Sequence, residues 1–423
     1  MSKLVSTLIL VISMNCSAQY NWQWTEMDTM PMRTSNNAMC EAQVGGMEYV
    51  YSFGGIDETK LYSGIHQNSF KFDFQSNSWS TIASLPDTLG KIAASASYVK
   101  DKIYIIGGYH VLQGNGEVSS NKVHIYNPVT EVYESDGTPI PLAIDDHVQC
   151  VYKDSLIYIV TGWSNTTNYP NVQIYNPSLD TWISGTSVPN TGYFKSFGSS
   201  GYIIGDTLYY HGGVTTGNFT AQNFMRKGFI DPNDPTNITW TLMNDAPGNA
   251  GYRSACSGIG NTVFWVGGAP TAYNYDGIAY DGSGGVDPSA RILHFNNWNY
   301  QHVDAINEPH GVMDLRGIAD LGNSRWIICG GMDTNQVVSN RTFLLENNLV
   351  NTEKVVNVSF EIRYLDDVVI IKSEEIGQGS LIDGEGKTIL KFESSNVFRI
   401  SKTSVNAGIY FFVQNNSNIK ILL

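Results

Sequence analysis

Short apolar runs that each close on a glycine pair recur along the chain between residues 51 and 331. The runs are about five residues long and rich in Tyr, Ile, Val and Phe, a pattern that predicts short, buried β-strands. They recur about every 50 residues, a spacing typical of repeat architectures. The six copies end at Gly55, Gly108, Gly162, Gly213, Gly268 and Gly331, and Thr161 replaces the first glycine of the third copy.

Each copy continues with the same order of features. A strand ends in Asp or Asn, as at Asn127-Pro128, and an aromatic residue follows, as at Trp182. A proline and a run of small residues, such as Ala93-Ala94-Ser95, complete the copy. Four antiparallel strands per copy would make one blade of a β-propeller, and the strands that crowd the axis need small side chains.

The last copy is incomplete at its C-terminal end. A third strand is predicted near residues 341–345, but no tryptophan and proline follow it. Both features stand instead at the start of the chain, at Trp24 and Pro31. We therefore predict that the N-terminal strand supplies the outer strand of the last blade, so that residues 19–350 close as an all-β, six-bladed propeller without open sheet edges.

These features together resemble the kelch superfamily over residues 20–350. The order of glycine pair, Asn-Pro turn, tryptophan and proline carries the resemblance, which implies a kelch-type propeller. The chain departs from the pattern at Thr161, at Tyr133 in place of tryptophan, and in a long loop from Ala269 to Ala290 in the fifth copy.

The tail has a different pattern. Alternating apolar positions at 356–362, 368–372, 388–392 and 409–413 predict a small antiparallel β-sandwich over residues 351–423. The strand Gly408-Ile409-Tyr410-Phe411 and the closing Lys420-Ile421-Leu422-Leu423 resemble the sorting domains of type IX secretion substrates, although a single lysine stands at the end. The resemblance implies that this domain is recognised by the type IX machinery. An ordinary accessory β-domain is the alternative.

The N-terminus has the pattern of an export signal. Lys3 precedes an apolar run from Leu4 to Met14, which is too short to cross a membrane, so residues 1–18 are predicted to be a signal peptide. No later stretch is predicted to span a membrane. The sequence thus predicts a secreted or cell-surface protein.

Charge and cysteine content narrow the possible partners. The chain has 39 acidic and 25 basic residues and a net charge of −14, which argues against nucleic acid as the main partner. The four cysteines after the signal are far apart and lack metal-ligand spacing, so we interpret them as buried core residues. Neither a metal site nor a cofactor is predicted. These cysteines are Cys40, Cys150, Cys256 and Cys329.

Candidate binding residues lie in the segments that enter the innermost strands. Each segment carries one basic or imidazole group, two to seven residues after its proline: Arg33, Lys91, His147, Lys195, Arg253 and Arg316. Trp163 and Tyr273, in loops that follow glycine pairs, add aromatic surface. Cations beside aromatic rings suit an acidic glycan or peptide, and arginines at this place line the acidic-peptide site of the kelch adaptors that the chain resembles. Alternatively, each basic group pairs locally with carboxylates such as Asp145, Asp146 and Asp314.

Three functions remain open at this point. The first is a binding module for an acidic carbohydrate or peptide at the channel mouth. The second is an epimerase (mutarotase) of the sialic acid type, since exported kelch enzymes of that kind resemble this architecture. The third is a structural or adhesion protein without a small ligand. No nucleophile motif or phosphate loop stands out, so catalytic residues are unknown; Glu308, His310 and His147 are the acid–base candidates nearest the basic groups.

Overall fold

The computed structural model describes residues 21–347 and 360–422, except for short gaps at 115, 218, 297–298, 304–309, 366, 384–386 and 415–416. The predicted signal peptide lies outside the described residues. Residues 21–347 form one compact unit, and the described residues from 360 onward form a second.

The first unit is a six-bladed propeller of four-stranded antiparallel sheets. First strands of neighbouring blades pack against one another and therefore line the axis. From the axis outward, blade 1 contains Ala38–Val44, Met47–Phe53, Ser69–Asp73 and Ser78–Ile82; blade 2 contains Ile92–Val99, Lys102–Val111, Val123–Asn127 and Val132–Tyr133; blade 3 contains Val148–Tyr152, Leu156–Val160, Val172–Asn176 and Thr181–Gly185.

The other three blades repeat this order. Blade 4 contains Phe197–Ile204, Thr207–Val214, Met225–Asp231 and Asp234–Leu242; blade 5 contains Ala255–Ile259, Thr262–Val266, Ile292–Asn296 and Asn299–Val303; blade 6 contains Ala319–Gly322, Arg325–Cys329, Thr342–Asn347 and Trp22–Glu26. Short pairs and single turns decorate the loops: Glu117–Ser119, Trp163–Ser164 with Thr167–Asn168, Met332–Asp333 with Val337–Val338, and the 3-10 turns Tyr62–Gly64 and Thr334–Gln336.

The N-terminal strand closes the propeller as predicted. Trp22–Glu26 pairs antiparallel with Thr342–Asn347, in the place of the missing fourth strand of blade 6. The Trp22 side chain is fully buried, and its indole N–H donates to His294 Nε2 of blade 5 at 2.9 Å. The strand thus bonds to one blade along its edge and packs into the next, so that Thr342–Asn347 is paired on both sides.

A second closure surrounds the axis. One residue from each entering segment adopts positive φ, between 47° and 66°. In five of them the backbone N–H donates to the carbonyl of the corresponding residue in the preceding blade, at 2.8–3.3 Å, and Leu315 N donates to Arg253 O at 3.0 Å. We call this set the axial ring: Asn36, Ala93, Asp146, Gly198, Arg253 and Asp314. Positive φ is costly outside glycine, so the inter-blade bonds hold these five non-glycine residues in place.

The glycine pairs exist because the next blade comes very close. A Cβ atom on Gly212 would lie 1.9 Å from the Gly251 carbonyl oxygen, and Gly213 N donates to that same oxygen at 2.7 Å. At the corresponding place in blade 3, Thr161 lies against Ser196 in the segment that enters blade 4. The Thr161 hydroxyl accepts from Ser196 N at 3.0 Å and lies 3.2 Å from Ser196 O. The departure from the glycine pair therefore keeps a polar link between the blades.

The C-terminal unit is a small antiparallel β-structure, as predicted. Its strands are Phe360–Tyr364, Val368–Asp383, Thr388–Ser401, Ile409–Gln414 and Ser417–Leu422. The second strand is much longer than expected, and its register shifts between Lys372 and Gly379. Its two halves consequently pair with different neighbours, Phe360–Tyr364 and Ile409–Gln414. They share an apolar core that includes Ile371, Leu381, Phe398 and Phe412.

Candidate functional site

Two sets of loops meet at one end of the propeller axis. In a four-stranded antiparallel blade, the segment that enters the first strand and the loop between the second and third strands lie at the same end. We call this end the mouth. The hairpins between first and second strands lie at the opposite end.

The long loop of blade 5 lies across the mouth. Tyr273 is fully buried and meets Tyr252 edge-on, with ring centroids 5.0 Å apart. Further along, Tyr275 packs against an apolar cluster of blades 1 and 2 that includes Ile56 and Tyr109. We call residues 269–291 the cap loop. Because it reaches from blade 5 to blades 1 and 2, it covers the axial ring from outside.

A small pocket remains beside the cap loop, with a volume of about 80 Å³. Tyr280 of the cap loop forms one wall and stacks on Phe219 of blade 4, with ring centroids 4.9 Å apart. We call this the mouth pocket. Its lining residues are Tyr109, Glu117, Asp145, Asp146, Trp163, Phe197, Phe219, Arg253 and Tyr280.

Arg253 is held by two carboxylates at the floor of the mouth pocket. Its Nε and Nη2 donate to Asp146 of blade 3 at 3.1 and 2.6 Å, and its Nη1 donates to Asp314 of blade 6 at 2.9 Å. Arg253 is 1% exposed, and its guanidinium lies 5.1 and 5.5 Å from the ring centroids of Tyr252 and Tyr273. The fork of the guanidinium therefore links three blades across the axis.

Arg316 also crosses the axis, beneath the ring. It enters with blade 6, yet its Nη2 donates to Ser95 Oγ of blade 2 at 2.9 Å and to the His147 carbonyl of blade 3 at 2.8 Å. Its Nη1 lies 3.5 Å from Asp146. Together with the buried residues of the axial ring, this side chain separates the mouth pocket from the channel below.

Asp145 has the electrostatic environment of a proton donor. It is 2% exposed and lines the mouth pocket. Burial, reinforced by the neighbouring Asp146 carboxylate, raises the pKa of Asp145 well above its ordinary value. The Ser119 hydroxyl donates to Asp145 Oδ2 at 2.5 Å. Its surroundings therefore favour the protonated form of Asp145 more than water does.

The six predicted basic groups do not occupy equivalent places in the structure. Among them, only Arg253 is a member of the axial ring. Lys91 turns away from the mouth to Asp87 at 2.8 Å and to His124 of the third strand of blade 2 at 2.9 Å. The spacing from proline to axial ring varies between blades, so a shared position after the proline does not give a shared direction.

The remaining predicted residues are dispersed. Arg33 is partly exposed beside Glu58, at 3.3 Å, and donates to Val338 O at 3.0 Å. Lys195 is half-buried, and its backbone N–H donates to Thr191 O at 2.9 Å. His147 is 1% exposed and lines the channel beneath the axial ring.

Two predicted residues come together in the mouth pocket, Arg253 and Trp163. Tyr273 belongs to the cap loop and lies outside the mouth pocket, with its hydroxyl 3.4 Å from Asp314. Sequence reasoning missed Glu117 and Phe219, since neither belongs to a repeating feature. The three aspartates that it named as local partners, Asp145, Asp146 and Asp314, all lie at the mouth.

Of the other acid–base candidates, His310 pairs with Asp333 at 3.0 Å and packs on Phe343 in the third strand of blade 6, with ring centroids 4.2 Å apart. It is therefore engaged within blade 6. Glu308 lies outside the described residues. Within the described ranges, no group of three or more His, Cys, Asp or Glu side chains is arranged to hold a metal ion.

Comparison with known proteins agrees with the repeat geometry. A sequence model of the KLHDC2/KLHL20/DRC7 Kelch-repeats domain matches residues 11–213. The solved structure of YjhT superposes with a TM-score of 0.60 at 14% identity, covering 82% of this chain and 99% of that one. The propeller is of the kelch type.

Curated relatives of this kelch propeller differ in what their names describe. Beta-scruin of Limulus polyphemus is 25% identical over 51% of this chain and 23% of its own length. N-acetylneuraminate epimerase of Shigella flexneri is 23% identical over 66% of this chain and 67% of its own length. Kelch-like protein terF of Aspergillus terreus is 26% identical over 36% of this chain and 34% of its own. The chain thus spans about a quarter of beta-scruin and a third of terF.

In the described part of the chain, no helix has the length and apolar character needed to cross a bilayer.

Proposed function

We propose that this protein is a carbohydrate-binding kelch propeller and that a neutral sugar binds with one face against the mouth pocket. The observation that carries the proposal is the composition of that pocket, in which aromatic walls stand beside carboxylates and one arginine. Concave sites of this kind, with few polar groups between aromatic side chains, suit small ligands that have both apolar and hydroxyl faces.

The charges at the mouth favour a neutral ligand over the acidic one expected from the sequence. Three carboxyl groups, those of Glu117, Asp145 and Asp146, line the pocket beside one cation, Arg253. That cation already bonds to Asp146 and Asp314. An incoming carboxylate would have to compete with both, whereas sugar hydroxyls can donate to the carboxylates without disturbing the ion pair.

A glycan array with the full-length secreted chain, followed by calorimetry on the best ligand, tests the proposal. Trp163→Ala should weaken binding about tenfold, since a stacked aromatic wall contributes on the order of 1 kcal/mol. Trp182→Ala is the matched control, because Trp182 lies on the outer strand of blade 3 and its indole N–H bonds to Thr138 O. Equal binding by all three forms, or binding restricted to acidic glycans, would refute the proposed neutral ligand.

A second candidate function is sugar mutarotation. The similarity to N-acetylneuraminate epimerases over two thirds of the chain supports it, and so does the raised pKa of Asp145. In such a reaction Asp145 would donate its proton to the ring oxygen as the bond from the anomeric carbon breaks, and Glu117 would accept the proton of the anomeric hydroxyl. Closure of the ring on the opposite face then reverses both transfers.

Exchange NMR between the anomers of bound sugars distinguishes binding from mutarotation. Asp145→Asn keeps the shape of the side chain and removes its proton donor, so it should lower a catalysed exchange rate by about 100-fold or more. Its effect on affinity should be small by comparison. If the wild-type protein does not accelerate exchange for N-acetylneuraminate or for the neutral sugars of the array, only the binding function remains.

We also propose that the chain is exported and that residues 351–423 direct it to the type IX machinery. The separate compact unit formed by the described residues from 360 onward supports a domain that folds apart from the propeller. Removing residues 351–423 should leave the protein in the periplasm with its propeller folded. Normal surface delivery of the shortened chain would contradict the proposal.

A further inference from the structure

The channel beneath the axial ring is a second cavity, much larger than the mouth pocket. It has a volume of about 590 Å³ and is lined by all six first strands. Its upper end is closed by the buried axial ring and by Arg316. The lining residues Gln43, Asp154 and Gly322, at the hairpin end, are exposed. The channel therefore opens at the end opposite the mouth.

Hydroxyl groups cover much of the channel wall. A cavity of this volume falls in the range of small-molecule sites. Several of the wall hydroxyls already bond to a neighbouring side chain, as Ser97 does to Gln149 at 2.8 Å, and each hydroxyl can both donate and accept. Blades 2, 4 and 5 supply the wall serines and tyrosines: Ser95, Ser97, Tyr98, Ser199, Ser200, Tyr202, Ser254 and Ser257.

Two carboxyl groups face the same space from neighbouring strands. Glu41 of blade 1 accepts the backbone N–H of Asp320 of blade 6 at 3.1 Å. Burial, with a smaller contribution from the Asp320 carboxylate, raises the pKa of Glu41 to about 7. Among the described residues that line the channel, Arg316 alone carries a full positive charge, and its guanidinium is engaged by Asp146, Ser95 and the His147 carbonyl. The carboxyl pair therefore has no cationic partner from the channel wall.

The ceiling of the channel also has incomplete hydrogen bonding. His147 Nδ1 and Arg316 Nε have no hydrogen-bond partner in the described part of the chain. Both side chains are more than nine-tenths buried, and both line the cavity. Burial lowers the pKa of His147 to about 3, so its ring is neutral and can accept a hydrogen bond.

We propose that the channel binds a small linear amino polyol, whose ammonium group lies between Glu41 and Asp320 and whose hydroxyls bond to the serine wall. The compound enters from the hairpin end, so the site is separate from the mouth pocket and does not depend on the function proposed there. A primary ammonium supplies the missing cation, and a charge-assisted hydrogen bond to a carboxylate is among the stronger polar contacts.

Three probes of the same length isolate the charge: glucamine, which carries an ammonium, sorbitol, which is neutral, and gluconate, which is an anion. Calorimetry on the full-length protein at pH 8 should give glucamine an affinity at least tenfold above that of sorbitol, with no measurable binding of gluconate. Glu41→Gln should weaken glucamine binding about tenfold and leave sorbitol binding unchanged. Asp320→Asn should act in the same direction.

Two control variants locate the bound probe. Asp234→Asn removes one negative charge at the exposed outer hairpin of blade 4 and should leave glucamine binding unchanged. Trp163→Ala alters the mouth pocket and should also leave it unchanged. The proposal is overturned if glucamine fails to bind at about 10 mM, if the three probes bind alike, or if Trp163→Ala weakens binding while Glu41→Gln does not. A mouth pocket that binds no sugar would leave the channel result unaffected.

Discussion

The mouth and the channel both involve the six segments that enter and form the first strands of the blades. They differ in their charges, which are paired at the mouth and lack a cationic partner in the channel. At the mouth and directly beneath it, Arg253 and Arg316 bond to carboxylates and a carbonyl of other blades, and both side chains are buried. In the channel, Glu41 and Asp320 face an open space without a cation from the wall. Paired charges at a seam between blades hold the fold together, whereas unpaired charges in an open cavity indicate a place for a ligand.

The largest expected effect comes from breaking the paired charges. Arg253→Ala leaves Asp314 buried without its cation and leaves Asp146 with only the more distant Arg316, which should destabilise the propeller by about 3–5 kcal/mol. The loss should appear as a large fall in the midpoint of thermal or urea unfolding. Arg33→Ala is the control, since Arg33 is partly exposed beside an exposed glutamate and should change stability by less than about 0.5 kcal/mol. Similar stability for the two variants would mean that the arginine at the mouth is not structural.

A somewhat smaller effect tests the close approach of the blades. Gly212→Ala places a Cβ 1.9 Å from the Gly251 carbonyl oxygen and should cost about 3 kcal/mol. Gly205→Ala has a similar positive φ, with no atom within 4 Å of the added Cβ, and should cost about 1 kcal/mol. Urea unfolding of both variants separates backbone strain from steric contact. Equal losses would show that contact between blades is not what requires the glycine.

Removing a channel carboxylate should change stability in the opposite direction, because it should stabilise the propeller. The folded state raises the pKa of Glu41 from 4.5 to about 7, so it binds this proton more tightly than the unfolded chain does. Wild-type stability should therefore decline as pH rises from about 4.5 to 7. Glu41→Gln should stabilise the propeller by about 1–2 kcal/mol at pH 8 and by almost nothing at pH 4. Urea titrations at both pH values measure this. A destabilised Glu41→Gln protein at pH 8 would show that the ionised carboxylate supports the fold.

The smallest loss of stability is expected for an exposed ion pair outside both the mouth and the channel. Glu26 pairs with Arg341 across the N-terminal strand, at 2.8 Å, and both side chains are more than a third exposed. Glu26→Gln should cost less than about 1 kcal/mol, because solvent screens such pairs. A larger loss in thermal unfolding would indicate that the outer strand of blade 6 depends on this pair.

The blades and their closure were predictable because their signals are local and repeated. The glycine pairs mark where one blade meets the next, and the missing tryptophan after Gly331 pointed to Trp22 and Trp24. The mouth was not predictable in the same way. Pro31 precedes its axial-ring residue Asn36 by five positions, whereas Pro189 precedes Gly198 by nine, so the offset from proline does not fix direction. The cap loop has no periodic pattern, and its contacts with Ile56 and Tyr109 are distant in sequence.

The two closures also determine when the propeller can be finished. The outer closure joins residues 22–26 to 342–347, and one link of the axial ring joins Asn36 to Asp314. Neither can form while the C-terminal part of the propeller is still being synthesised or translocated. The early blades must therefore wait with an exposed seam until more than three hundred further residues have arrived, a delay that slows folding and exposes the seam to wrong partners. The ring therefore determines the order of assembly: the strand at residues 22–26 is synthesised before the blades and is the last to pair.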